Sequence, residues 1–289
     1  MAWAKKCARY GKKFMENKGR KAARVLLLVV MTVCLIPFGQ AYGQSVQHRA
    51  QQEDLKERVT EASLQNPVQT NSVPQEMTVS VLPEQEADTD GGQTKEKPVM
   101  LPQYAGLYEE NKDLVGWLSI DGMKIDYPVM QNEDDKYYLH RDFYGNDSKY
   151  GCLYVREQAD LDAGTNFIIY GHNMKDGSMF GDLDLYGKES FYKEHPTVSF
   201  DTLYEERTYE IVAVFRSQVY NADDEVFKYY QFYEAETQED FEDFYGNIKE
   251  LSLYDTGVEA EFGDTFLTLS TCAYHVKDGR LVVVAKRME

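Results

Sequence analysis

Apolar and polar positions divide the chain into three stretches. Val25 to Ile36 is apolar almost without interruption. Between Tyr42 and Tyr104 there is no aromatic residue; Gln, Glu, Thr and Ser dominate, and Pro67, Pro74, Pro83 and Pro98 break any regular period. From Leu101 to Glu289 short apolar runs alternate with turn-forming residues, the pattern of strands in a folded domain.

That last stretch of 189 residues has the size of an ordinary single domain and holds 20 of the 22 tyrosines. Pro102 opens a short helix to about Asn111, with Tyr104, Leu107 and Tyr108 on one face. Trp117–Ile120 and Lys124–Val129 flank Asp121-Gly122, which predicts a hairpin. Gly151–Arg156, Asn166–Tyr170, Thr197–Leu203, Arg207–Phe215, Thr265–Thr271 and Arg280–Lys286 are rich in β-branched and aromatic residues and predict further strands. One helix interrupts them. Thr237 is its N-cap, acids follow in the first turn, and Phe241, Phe244, Tyr245, Ile248 and Leu251 recur at helical spacing. The fold class is mainly β, a barrel or sandwich with a few helices.

Charge sharpens the division. The net charge of −18 is unevenly spread: residues 1–24 carry nine Lys or Arg and one acid, and the remainder carries 22 bases and 48 acids. A basic segment (1–24) before an apolar run reads as an export signal with its cations left in the cytoplasm. The 12-residue apolar core is short of the roughly 20 residues of a span, but no Lys, Arg, Asp or Glu occurs from 25 to 47, and a tilted helix accommodates that window. Residues 25–43 are therefore read as an uncleaved single-pass membrane anchor; Ala41-Tyr42-Gly43 supplies the small-x-small pattern of the alternative, cleavage. Residues 44–100 read as a flexible tether in which Gln51–Leu64 can form a short helix. Residues 101–289 then lie outside the cell. So acidic a chain repels phosphate backbones, which argues against nucleic-acid binding. Four cysteines without a CxxC pair argue against a disulfide scaffold and a structural zinc site. No metal or other cofactor is expected.

Two cysteines fall in the folded domain, where a disulfide between them is the first alternative. Cys152 lies inside an apolar strand, the setting of a buried, inert thiol. Cys272 ends the strand from Thr265. On alternation Leu267, Leu269 and Thr271 face the core, while Phe266, Thr268, Ser270 and Cys272 face an increasingly polar groove. A thiol at such a strand end is a nucleophile candidate. Of His140, His172, His195 and His275, His172 is the preferred proton-transfer partner, because an apolar strand delivers it through Gly171 to the start of a polar loop. Arg280 opens the next strand and can stabilise an oxyanion. A tight Asp278-Gly279 turn would hold it about 17 Å from the thiol at strand rise; an open loop from Ala273 to Gly279 would make the two residues neighbours.

Thr268-Leu269-Ser270-Thr271-Cys272 resembles the TLxTC motif of sortases, and Arg280 stands where those enzymes carry their arginine. Tyr170 to Met174, with Asp176 to Phe180, resembles the class B histidine segment, as does Tyr138 to Arg141 running through Gly151 to Tyr154. The resemblance covers about residues 101–289 and favours the open loop. It implies a closed β-barrel cysteine transpeptidase at the Gram-positive cell surface. That enzyme cuts a C-terminal sorting signal after Thr and joins the Thr carboxyl to an amine of a peptidoglycan precursor or a pilin. Cys272 would form the thioester, His172 would move the protons, and Arg280 would hold the oxyanion. Thr268, Ser270, Thr271 and Ala273 are the expected substrate-binding residues, and the loop Tyr220 to Glu236 with the following helix the specificity wall. Ala273 and Tyr274 leave no Asp just after the cysteine for a Cys-His-Asp triad. Two other readings use the same chain: a surface cysteine hydrolase with water as acceptor, and an adhesin needing neither residue. Asn66-Pro67-Val68-Gln69-Thr70-Asn71 resembles a class B sorting signal with Val68 inserted, which the Gln/Asn/Thr-rich composition of this stretch accounts for.

Overall fold

Eight strands close into one barrel in the order β1-β2-β3-β4-β7-β8-β6-β5. They are β1 (Leu114–Ser119), β2 (Asp126–Gln131), β3 (Leu153–Val155), β4 (Asn166–Gly171), β5 (Thr197–Thr202), β6 (Thr208–Gln218), β7 (Phe266–Cys272) and β8 (Gly279–Arg287). The computed structural model describes residue 39 and residues 41–65, 98–274 and 276–288. The expected basic segment, nearly all of the anchor, most of the tether after the helix, and His275 lie outside them. Among the described residues no helix is long and apolar enough to cross a membrane.

The chain divides into two units, residues 1–53 and 54–289. Residues 41–65 are helical (α1), so helix begins ahead of the expected Gln51. Within the second unit, Leu55 is fully buried beside Leu114, Trp117 and Phe143, and Arg58 donates to Glu110. Helix α2 (Pro102–Glu110) has Pro at its start and buries Tyr104 and Leu107, as its spacing predicts.

Alternation builds two apolar layers from the same strands. Phe167 and Ile169 of β4, with Leu267 and Leu269 of β7, fill the barrel interior. Ile168, Phe266, Val282 and Val284 point outward and pack under α4 (Gln238–Leu251) through Phe241, Phe244 and Ile248. Thr237 caps α4 in a capping box with Asp240, worth about 1 kcal/mol. Leu251, expected on the buried face, ends the helix and is exposed.

The β1–β2 hairpin forms, but Ser119 pairs with Asp126, so Ile120 to Ile125 make a wider turn than Asp121-Gly122 alone. Gly122 has a φ of +74°, and a Cβ there would lie 2.6 Å from the His195 ring. The six-residue helix α3 (Glu189–Glu194) was not expected; it is too short for a helical period to show. Cys152 and Cys272 are both free thiols, so no disulfide joins them.

Candidate active site

Strand register brings Cys272, His172 and Arg280 together. β4 and β7 run parallel, with Gly171 opposite Thr271. The next residue of each strand, His172 and Cys272, therefore emerges at the same barrel end, on strands about 4.8 Å apart. β7 and β8 run antiparallel, with Cys272 opposite Arg280. That pairing leaves the connection between the two strands open, and Asp278 in it takes a φ of +54°, tolerable for Asp. The tight-turn alternative is thereby excluded.

All three side chains are partly exposed. The His172 Nε2 lies 2.8 Å from the Leu139 carbonyl oxygen. A carbonyl only accepts, so Nε2 carries a hydrogen and Nδ1 is left to take or give a proton. The His140 ring stacks on His172 at 6.0 Å. His195 is engaged elsewhere, its Nδ1 donating to the Asp121 carbonyl. Arg280 curls over its own loop, its Nη1 donating to the carbonyls of Asp278 and Gly279.

Sequence reasoning missed Asn173. Its amide donates to the Cys272 carbonyl and to Asp184 Oδ2, each at 2.8 Å, tying the end of the nucleophile strand to the histidine segment. The residue stands inside the Tyr170–Met174 motif, but nothing local reveals a bond to a residue 99 positions on.

The expected substrate-binding residues sit beneath the groove surface. Thr268, Ser270 and Thr271 are each about 1% exposed. Their hydroxyls are engaged, Thr268 donating to Asn166 Oδ1, Ser270 bonding the Tyr229 hydroxyl and Thr271 donating to the Gly171 carbonyl. Ala273 is buried and its N–H donates to the Gly279 carbonyl, so this amide is already committed within the loop. The even face of β7 is thus not an open polar floor: α4 covers its Phe266 end, Tyr229 covers Ser270, and only Cys272 emerges.

A groove of about 510 Å³ is lined by Tyr154, Arg156, Tyr170, Tyr229, Tyr233 and Arg280, the residue opposite Cys272, among others. Its tyrosines from 229 to 233 come from the loop expected to form the wall. Helix α4 backs that wall, with Phe232 stacked on Phe244 at 3.9 Å. Burial pushes the Tyr229 phenol up to about 12 against the relief of its bond to Ser270, and raises Tyr170 more strongly. Both are neutral at physiological pH. Burial also raises the Cys152 thiol, which keeps it protonated and separates it from the partly exposed Cys272.

The sortase domain family matches residues 118–288. The chain belongs to the sortase family. Sortase B of Listeria monocytogenes is 38% identical over 189 residues, covering 62% of this chain and 72% of that protein. Sortase B of Staphylococcus aureus is 31% identical over 196 residues, covering 67% and 78%. A solved complex of Staphylococcus aureus sortase B with substrate superposes with a TM-score of 0.68 at 26% identity, covering 85% of this chain and 98% of that one. The chain is a class B sortase, a cysteine transpeptidase of the cell-wall-sorting type, built on the expected closed barrel.

Proposed function

We propose that this sortase cleaves a C-terminal sorting signal after Thr and transfers the Thr carboxyl to an amine of a peptidoglycan precursor or a pilin. The observation that carries the reading is the double register that sets Cys272 beside both His172 and Arg280. Cys272 passes its thiol proton to His172 Nδ1 as its sulfur attacks the Thr carbonyl carbon, and the oxyanion is held by the Arg280 guanidinium, whose Nε and Nη2 have no partner among the described residues. The C–N bond breaks as His172 gives its proton to the leaving amine, leaving a thioester. The acceptor amine then attacks the thioester, His172 takes its proton, and the C–S bond breaks as the leaving thiolate takes that proton back from His172.

The substrates are surface proteins bearing the signal. The basic residues 1–24 and the apolar run 25–43 hold the enzyme in the membrane, N-terminus inside and catalytic domain outside. The test incubates the full chain in detergent with a fluorogenic sorting-signal peptide, with and without an oligoglycine or diaminopimelate-type amine. Amine-dependent ligated product supports transfer; hydrolysis alone, unchanged by amine, refutes it. Cys272→Ala and His172→Ala are each expected to abolish turnover with the circular dichroism spectrum intact.

A further inference from the structure

Residues 101–289 carry 17 Lys and Arg against 38 Asp and Glu. The groove that Arg280 lines reverses that balance: among the described residues its charged lining is Arg156 and Arg280, with no acid. Like charges gathered in a concave wall focus the field toward a ligand of opposite sign.

Arg280 is committed to the oxyanion in the mechanism above; Arg156 has no role in it. Arg156 follows β3 directly, and its backbone carbonyl is held by the Gln131 amide at 2.9 Å. Its guanidinium lies over the Tyr170 ring, 5.1 Å from the centroid. The nearest acid is Asp135, 3.9 Å from Nε, and both side chains are more than a third exposed. An exposed pair at that distance contributes about 0–1 kcal/mol and leaves the charge largely unspent. A guanidinium placed over an aromatic ring gains cation–π attraction while its N–H donors stay free to receive a carboxylate.

We propose that Arg156 forms a carboxylate-binding subsite of the groove, selecting a reactant that carries an acidic group near the bond being made or broken. The proposal rests on the transpeptidase reading and names the chemistry of its substrate. The carboxylate has two sources: an acidic residue of the sorting signal, or a carboxylate beside the acceptor amine.

The experiment uses the full chain in detergent, wild type, Arg156→Gln and Arg156→Lys, with two arms. In the donor arm, fluorogenic peptides carry Glu or Gln at each position upstream of the Thr. In the acceptor arm, an uncharged donor is transferred to a diamino acid or to its carboxamide. In one arm the wild type is expected to favour the acid over the amide by tenfold or more in kcat/KM, chiefly through KM. Arg156→Gln removes that preference and Arg156→Lys keeps part of it. The arm that responds identifies the source. No acid preference in either arm, or one that survives Arg156→Gln, overturns the subsite while Cys272-dependent transfer leaves the parent reading standing. Absence of any Cys272-dependent product overturns both.

Discussion

Gly171→Ala tests whether the position of His172 depends on close packing at the end of β4. A Cβ built on Gly171 would lie 2.4 Å from Leu153 Cδ2 and 2.7 Å and 2.9 Å from two ring carbons of Phe180. Leu153 and Phe180 are both fully buried in the barrel core, so neither swings away freely. Gly171 has no positive φ, so the penalty is steric and not conformational. Overpacking of this kind costs about 1–3 kcal/mol, or a Tm loss of roughly 2–12 °C for a domain of this size. The strand can relieve the clash only by shifting, and His172 is the next residue. A displacement of about 1 Å at a catalytic group can cost about 10² in rate. Thermal unfolding and fluorogenic peptide turnover are measured on Gly171→Ala, Leu153→Val and the double variant. Leu153→Val removes the nearest clashing atom, so the pair is expected to couple favourably by about 0.5–3 kcal/mol and to recover part of kcat. A Gly171→Ala enzyme with wild-type Tm and kcat, or a pair that adds without coupling, refutes the reasoning.

Arg280→Ala is expected to lower kcat by about 10²–10³, the loss of an oxyanion donor, because the Ala273 amide is bonded to Gly279 and does not substitute; a near-wild-type kcat removes the assignment. Asp201 gives a pH-dependent test. Burial raises its pKa against the pull of the Tyr104 hydroxyl, which donates to it at 2.6 Å. A carboxyl with a raised folded pKa holds its proton more readily when folded, so stability is lost as pH rises through the carboxylate range. Asp201→Asn keeps an acceptor for Tyr104, and its Tm relative to wild type is expected to be higher at pH 7 than at pH 4; a pH-independent difference contradicts this.

Local signals were legible in the sequence. The capping box at Thr237 and the helical spacing of Phe241, Phe244 and Ile248 describe α4 directly, because each depends on residues a turn apart. The strands were found within a few residues, although β6 runs on to Gln218 and β3 keeps only Leu153–Val155 of the expected Gly151–Arg156. Strand pairing was less accessible. Nothing near Gly171 announces that it lies opposite Thr271 in a parallel ladder, because the chain between them carries α3, β5, β6 and α4. The motif resemblance named Cys272, His172 and Arg280, and the strand register places them at one end of the barrel. The contacts of Arg156 with Tyr170, Asn173 with Cys272 and Tyr229 with Ser270 are marked by neither spacing nor composition.

The buried threonines and serine of Thr268-Leu269-Ser270-Thr271-Cys272 acquire a physical role from that long-range pairing. A slip of one residue between β4 and β7 would shift Cys272 by about 3.3 Å along the strand and turn its side chain to the opposite face, into the apolar core. The inward residues Leu267 and Leu269 resist such a slip through burial. The hydroxyls add directional constraints, since Thr268 bonds Asn166 and Thr271 bonds the Gly171 carbonyl only in the observed register. Breaking either would strand a buried polar group at a cost of about 1–3 kcal/mol. The Ser270–Tyr229 bond carries the same constraint to the groove wall. Polar residues that read from alternation as a substrate surface thus work from underneath: they fix the register that sets the thiol beside its histidine and its arginine.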